Sequence, residues 1–502
     1  MSKPKLAALM TLLFAGCVAV SAQTFVTLAN FNARDGLEPI GSLVQGPDGN
    51  FYGTTQLGGH ARNGCPNIGC GTAFKVTPEG ILSSLPLDLA DGLYPSSGLL
   101  LATNGNFYGT APQGGANLNG CSHESCGTLF KVSQTGKIAV VHNFCSDPGC
   151  TDGGTPGGQY GGEVSAPLTQ AFDRNFYGTT EGYGSNGGGT VFRLTSSGTL
   201  TTLYSFCALE DCADGSIPQG PPILSTPDGV LYGTTGFGGN PACPALGCGT
   251  FYKITRNGAL TTLHRFDGTD GWDVGGLIQG PNGDFYGTTF VGGDLTCDPP
   301  NGCGTVFEIS PHGEVTTLHA FEATDGVGPS GQLVLGSDGN LYGTTSGSKD
   351  GRVYSAGTIF MISSPGSFKT LHSFKGGADG FQPFGGLLQA TNGKFYGTTR
   401  SGGDVGCDRG YGCGTIFSLD VGLAPFVTFV FPVGKVGQTG GILGQGFAGT
   451  TSVVLNGTPA SFTVISDTYI RATVPVGATT GYVTVTTPSG TLTSNVPFHV
   501  IP

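Results

Sequence analysis

Fourteen of the 15 cysteines fall into seven local pairs, five or six residues apart: Cys65/Cys70, Cys121/Cys126, Cys145/Cys150, Cys207/Cys212, Cys243/Cys248, Cys297/Cys303 and Cys407/Cys413. Thiols at this spacing can form disulfides or bind a metal. Zinc needs Cys-x₂₋₄-Cys pairs brought together in fours, and these spacings lie at or beyond that range. An even count and local pairing, behind an export signal, point to disulfides joining neighbours in sequence. Loops this small contribute about 2 kcal/mol each at most, so they staple loops rather than hold a fold together.

Other chemistry-bearing residues recur with the same regularity. Asp-Gly appears at Asp35, Asp91, Asp152, Asp214, Asp270, Asp325 and Asp379. A ring of carboxylates around a cation is one reading. The plainer one is a turn in which Asp caps backbone amides and Gly takes a positive φ. Calcium needs several oxygens converging on one point, and no Asp-x-Asp-x-Asp run supplies them. His142, His264, His319 and His372 share one position and Tyr204 takes it in another copy, which reads as packing. Trp272, the single tryptophan, occupies a place held elsewhere by Leu37, Leu93, Val327 and Phe381. It is either a packing residue or a stacking platform for a sugar. No Gly-x-Ser-x-Gly elbow, phosphate loop or His-Glu-x-x-His motif occurs. Paired carboxylates for glycoside cleavage are set in three dimensions and point to no particular residues. The sequence therefore names no catalytic residue, no metal ligand and no cofactor.

These residues are positioned by a repeat. Phe51-Tyr52-Gly53-Thr54-Thr55 returns at 107, 176, 231, 285, 341 and 395, giving seven copies mostly 54 to 56 residues apart, with one gap of 69. A fixed period of this length marks a repeat architecture. Around each copy lie short β-branched or aromatic runs bounded by Gly, Asp or Asn, which is the strand signature. Each unit reads as four strands, a to d, with the Tyr-Gly-Thr text as strand b. Seven such units fit an all-β, seven-bladed propeller of four-stranded blades. Strand d precedes the first copy, at Phe25–Phe31, and is missing after Gly414–Leu419. The N-terminal strand is therefore expected to complete the last blade and remove the open edge. A parallel β-helix is the alternative, though its coils are normally shorter.

In such blades the b–c and d–a loops share one face, carrying every cysteine pair and every Asp-Gly turn. Short hairpins on the other face leave little room for a pocket. The third unit breaks the pattern. Its b–c loop, from Glu181 to Gly188, is short and lacks cysteines, and the d–a connection before it, through Tyr160, is the longest. This predicts a notch with Tyr160 and Tyr183 as stacking groups. Those two and Trp272 are the candidate ligand-binding residues.

Residues 1–22 read as a signal peptide: Lys3 and Lys5, an apolar run from Leu6 to Val20, then Ser21-Ala22. Acylation of Cys17 in a lipoprotein is the competing reading. The run is too short for a confident membrane span. Net charge is −12, with 11% charged residues and no basic cluster, which argues against nucleic acid and anionic membranes. Glycine, 92 of 502 residues, falls at turns. The expected domains are the leader 1–22, the repeats 23–422 and a C-terminal unit, 425–502, where the period stops.

The repeat text, as in Asp338–Thr345 followed by Gly357–Phe360 and Leu371–Phe374, resembles the GloVer tandem-repeat family of exported bacterial proteins over about residues 25–420. The resemblance implies a secreted or cell-surface location and no known activity. Residues 425–502, with Gly446-Phe447 and Val474-Pro475, look like the IPT/TIG immunoglobulin-like family, which implies a β-sandwich acting as a spacer or protein-contact module. The leading expectation is an exported, non-catalytic binding or adhesion protein recognising polysaccharide or surface partners. A polysaccharide-active glycosidase or lyase and a purely structural envelope component are the alternatives.

Overall fold

The structure is a computed structural model. It describes residues 23–59, 64–117, 126–156, 168–224, 229–243, 247–349, 352–353, 355–363, 366–403, 406–407 and 410–501. The expected signal peptide with Cys17, and also Cys121 and Tyr160, lie outside these. The protein is all-β: seven antiparallel sheets follow the seven repeats, each with the strand order a-b-c-d expected of a propeller-like blade. In sheet 1 these are Val44–Gln45, Phe51–Thr55, Thr72–Val76 and Leu82–Pro86. Strand a is this short in four sheets and longer in sheets 4 and 5, at Ser216–Leu224 and Trp272–Gln279. Sheet 7 takes its fourth strand from the chain start. Thr24–Asn30 pairs antiparallel with Thr415–Asp420, placing Phe25 opposite Leu419.

Each letter of the repeat has a physical job. The first residue is buried and meets the tyrosine of the neighbouring sheet. Phe107 stacks on Tyr52 at 4.1 Å, Phe176 meets Tyr108 at 4.4 Å, and Phe51 meets Tyr396 of sheet 7 at 4.1 Å. Where the copy begins with leucine, at Leu231 and Leu341, that residue shares a core with Tyr177 or Tyr286 instead. The tyrosine hydroxyl turns back to its own a–b turn, donating from Tyr52 to Asp48 at 2.7 Å and from Tyr342 to Asp338 at 2.8 Å. Burial and the carboxylate together raise the Tyr52 phenol far above its ordinary pKa.

The glycine is needed because a strand c ring lies on it. A Cβ at Gly287 would stand 2.6 Å from the Phe307 ring, and one at Gly53 equally close to Phe74. The first threonine reaches the next sheet: Thr54 donates to Ser97 O at 2.7 Å, Thr234 to Gly275 O at 2.7 Å, and Thr398 to Gly41 O at 3.3 Å. The second threonine bonds the threonine opening strand c, as in Thr55–Thr72 at 2.9 Å.

The third sheet departs from expectation. Both Gly154–Pro156 and Thr169–Gln170 pair with strand b, Phe176–Gly182. The insertion containing Tyr160 therefore interrupts strand a itself instead of lengthening the loop before it. Strand a can be split because its hydrogen bonds to strand b are made separately at each end.

Beyond Gly422, two further four-stranded sheets share one apolar core that includes Val427, Ile442, Phe447, Ile470, Val485 and Phe498. This unit docks on the a–b turns. Thr468 donates to Pro47 O at 2.8 Å, Phe426 N–H to Thr391 O at 3.0 Å, and Leu443 joins the core around Tyr52 and Phe107.

Tyr252 stands where the other six sheets have phenylalanine, and its buried hydroxyl has no hydrogen-bond partner among the described residues. An unsatisfied buried hydroxyl costs about 1–3 kcal/mol. Tyr252→Phe should therefore raise the melting temperature, which differential scanning calorimetry would show; a lower value would mean the hydroxyl has a partner.

Candidate functional site

The d–a and b–c loops meet at one end of the sheets, as the antiparallel order requires. Leu37 bridges Leu57, Leu93 bridges Gln113 and Phe381 bridges Ser401 across these loops. Six cysteine pairs are disulfide-bonded there: Cys65–Cys70, Cys145–Cys150, Cys207–Cys212, Cys243–Cys248, Cys297–Cys303 and Cys407–Cys413. Cys126 is also disulfide-bonded, and its expected partner Cys121 lies outside the described residues. Six bonds of this kind belong to an oxidising, extracellular-type environment.

Cysteines of two different pairs meet after sheet 2. The sulfurs of Cys126, Cys145 and Cys150 lie within 4.8 Å of one another, all buried. The loop after strand d of sheet 2 folds back over the end of the b–c loop of the same sheet, which the spacing alone does not reveal.

The Asp-Gly turns cap backbone amides, and they do something the sequence reading missed. In five sheets the aspartate also binds the polar residue on strand d. Nε2–H of His264 donates to Asp270 at 2.7 Å, His319 to Asp325 at 2.9 Å, His142 to Asp152 at 3.1 Å and His372 to Asp379 at 3.3 Å. The Tyr204 hydroxyl donates to Asp214 at 2.9 Å. The same carboxylates accept backbone N–H groups, from Ala208 to Asp214 at 3.0 Å and from Glu322 to Asp325 at 2.8 Å. In sheets 7 and 1 the strand d position is Ala29 or Leu85, and there Asn32 or Asp88 bonds the aspartate. The glycine is fixed by packing as well: at Gly271, with φ 116°, a Cβ would stand 2.1 Å from the Thr289 hydroxyl.

These contacts set the charges. Burial pushes the Asp152 carboxyl up, yet hydrogen bonds from His142 and Ser146 outweigh it and hold the group below its usual range. Burial raises Asp91, reinforced by the neighbouring Asp88 charge. His372 is pushed below its ordinary 6.5 by burial, which Asp379 only partly offsets.

Of the candidate ligand residues, Tyr160 lies outside the described residues, and Trp272 and Tyr183 sit in different sheets without converging. Trp272 opens strand a of sheet 5, half-buried against the core that includes Cys248 and Phe266, with Nε1–H donating to Asn301 O at 3.4 Å. Tyr183, at φ 63°, packs against the core containing Cys145 and Cys150 in sheet 3. The short loop it begins is not left bare, since Gly184 N–H donates to Cys150 O at 3.0 Å.

What this face does present is apolar side chains on its stapled loops. Ile68 (52% exposed) and Leu209 (54%) lie inside disulfide loops, as does Tyr411 (70%), and Leu295 (46%) sits just before Cys297. The opposite face also differs from expectation. A cavity of about 200 Å³ lies where the C-terminal unit meets the a–b turns, lined by Arg174, Phe431, Tyr469 and Arg471 among others. A second cavity, of about 220 Å³, is lined by the c–d turn of sheet 2, residues 133–136, and by strands of sheet 1, so the hairpins leave room of their own besides the cavity under the docked unit.

A charge prediction follows from His372. Its folded pKa lies below the unfolded value near 6.5, so its contribution to stability is complete above that pH and is lost as pH falls through the folded value. His372→Gln should lose less melting temperature than the parent between about pH 7 and about pH 5. Equal losses would show that this histidine does not titrate against folding.

Comparison with known proteins places the chain. No curated protein matches it. In overall structure it is similar to a fungal alcohol oxidase of the AA5 family in complex with copper, with a TM-score of 0.50 and 11% identity over 95% of this chain and 99% of that one. At that identity the likeness concerns the fold alone. A gluconolactonase from Xanthomonas campestris aligns at a TM-score of 0.38 and 13% identity, covering 69% of this chain and 89% of that one. The profile of the Gloeobacter/Verrucomicrobia repeat matches residues 17–161, 66–271 and 244–460. The chain, with its seven Tyr-Gly-Thr repeats, belongs to the Gloeobacter/Verrucomicrobia repeat family.

Proposed function

We propose that this is an exported, non-catalytic binding or adhesion protein whose repeats form a closed seven-bladed β-propeller. In this reading residues 1–22 are a cleaved signal peptide and Thr24–Asn30 completes the last blade. The C-terminal unit is an immunoglobulin-like sandwich of the IPT/TIG kind. The pairing of Thr24–Asn30 with Thr415–Asp420 and the Thr398–Gly41 hydrogen bond support closure. The shared core of the two C-terminal sheets supports the sandwich.

The observation that carries the binding reading is the exposure of Ile68, Leu209, Leu295 and Tyr411 on the stapled loops. They lie one to a loop at one end of the sheets, and loops held by a rigid scaffold are where binding residues are commonly found. Disulfides hold these loops in place, so less ordering entropy is lost on contact. The recurrent carboxylates of this face are committed to capping their own turns, which favours a scaffold over an acid–base pair. The partner we favour is a polysaccharide or another cell-surface polymer, with Tyr183 and Tyr160 contributing from the third blade.

The test is a screen of the chain from Gln23 onward against soluble polysaccharides, by affinity electrophoresis with a reducing-end assay run in parallel. Retardation without new reducing ends is expected. Serine at Ile68, Leu209, Leu295 and Tyr411 together should weaken binding by about tenfold or more with the melting temperature unchanged, and alanine at Tyr160 and Tyr183 should weaken it further. Release of products would favour the glycosidase or lyase reading. Binding indifferent to all six changes would remove this face as the site.

A further inference from the structure

We propose a second ligand site, for an anionic sugar, in the cavity between the C-terminal unit and the a–b turns of the second and third repeats. The chain has 21 basic residues against 33 acidic ones, so two arginines lining one cavity without a carboxylate beside them need a reason. Arg174 and Arg471 both line this cavity, and no acidic residue does. Among the described residues neither guanidinium makes an ion pair.

The two arginines come from different parts of the fold. Arg174 sits at the a–b turn of sheet 3, at φ 65°, and its guanidinium lies 5.1 Å from the centre of the Phe431 ring. Arg471 projects from the strand Tyr469–Thr473, opposite Gly441. The site exists only when the C-terminal unit is docked.

Two further side chains of the lining can donate. The Gln438 side-chain oxygen already accepts Lys435 N–H at 3.0 Å, which leaves its Nε2 to donate. The Tyr469 hydroxyl also lines the cavity and has no hydrogen-bond partner among the described residues. Burial lowers the Arg174 guanidinium below its usual pKa, the mark of a cation that has lost water without gaining an anion. Guanidinium forks match carboxylate and phosphate oxygens in a planar, two-point geometry.

The volume, about 200 Å³, is below the usual range of about 300–1,000 Å³ for drug-sized ligands. It suits a single ring with its anionic group, such as a uronate or a sugar phosphate, and not a chain lying across the surface. Phe431 and Tyr469 offer aromatic surface for the ring. This site lies on the face opposite the stapled loops and does not depend on the loop-face reading.

Isothermal titration of the intact chain from Gln23 onward tests it, with D-glucuronate and glucose 6-phosphate as probes and D-glucose and inorganic phosphate as controls. At least one anionic sugar should bind, more tightly than phosphate, while glucose does not, and added salt should weaken the binding. Arg471→Gln, at an exposed strand position, should weaken it about tenfold or more without moving the melting temperature. Arg174→Gln should weaken it similarly, and the relative strength of the two anionic sugars would tell a carboxylate site from a phosphate site. Tyr183→Ala should leave it unchanged. Equal binding of glucose, an Arg471→Gln variant with parental affinity, or no binding of either anionic sugar at about 10 mM, where even millimolar affinity would register, would overturn the proposal.

Discussion

The contact on which the molecule depends is an aromatic ring lying on a glycine. In each repeat a strand c ring, such as Phe307, occupies the space that a Cβ on the strand b glycine would fill. The close approach of the two strands lets the tyrosine beside that glycine reach the next sheet and meet its first residue. Each aromatic pair is worth about 0.5–1.5 kcal/mol beyond the area it buries, and each threonine-to-carbonyl bond about 1 kcal/mol. Neither is large alone. Their effect comes from recurring between neighbouring sheets, sheets 7 and 1 included.

That regularity is why so much was legible. A constraint repeated seven times leaves a repeated text, and Phe-Tyr-Gly-Thr-Thr records burial, turn fixation, close packing and two threonine bonds in five letters. The strand order and the local disulfides follow from it. The His–Asp pairs were missed although both partners had been noticed. Their separation is six residues at His264–Asp270, seven at His372–Asp379 and ten at His142–Asp152, where the stapled turn of Cys145–Cys150 intervenes. A contact that survives a loop of variable length leaves no fixed spacing to read. The split strand a of sheet 3 was hidden because three residues of strand text before an insertion and two after it resemble a loop.

The docking of the C-terminal unit was illegible for another reason. Thr468 meets Pro47 across 421 residues, and no local pattern announces a contact of that range. Its consequence is a division of labour between the two ends of the repeats. One end is built from long loops, stapled by disulfides and carrying exposed apolar groups. The other is built from tight turns and carries one cavity against the C-terminal unit and another beside the c–d turn of sheet 2. Among the described residues no helix is long and apolar enough to cross a membrane.

Closure of the repeats by the chain start is the claim on which the rest stands. Phe25 stacks on His372 at 3.8 Å and packs against Phe374 and Phe417, so Thr24–Asn30 joins sheet 7 to sheet 6 as well as finishing it. The most direct measurement compares thermal unfolding and size-exclusion profiles of the chain starting at Gln23 with one starting at Asn32. Removing the strand exposes the edge of Thr415–Asp420, and an unpaired edge invites association with other chains. Closure predicts a clear fall in melting temperature together with oligomers or aggregation. A shortened chain that stays monomeric and melts with the parent would contradict it.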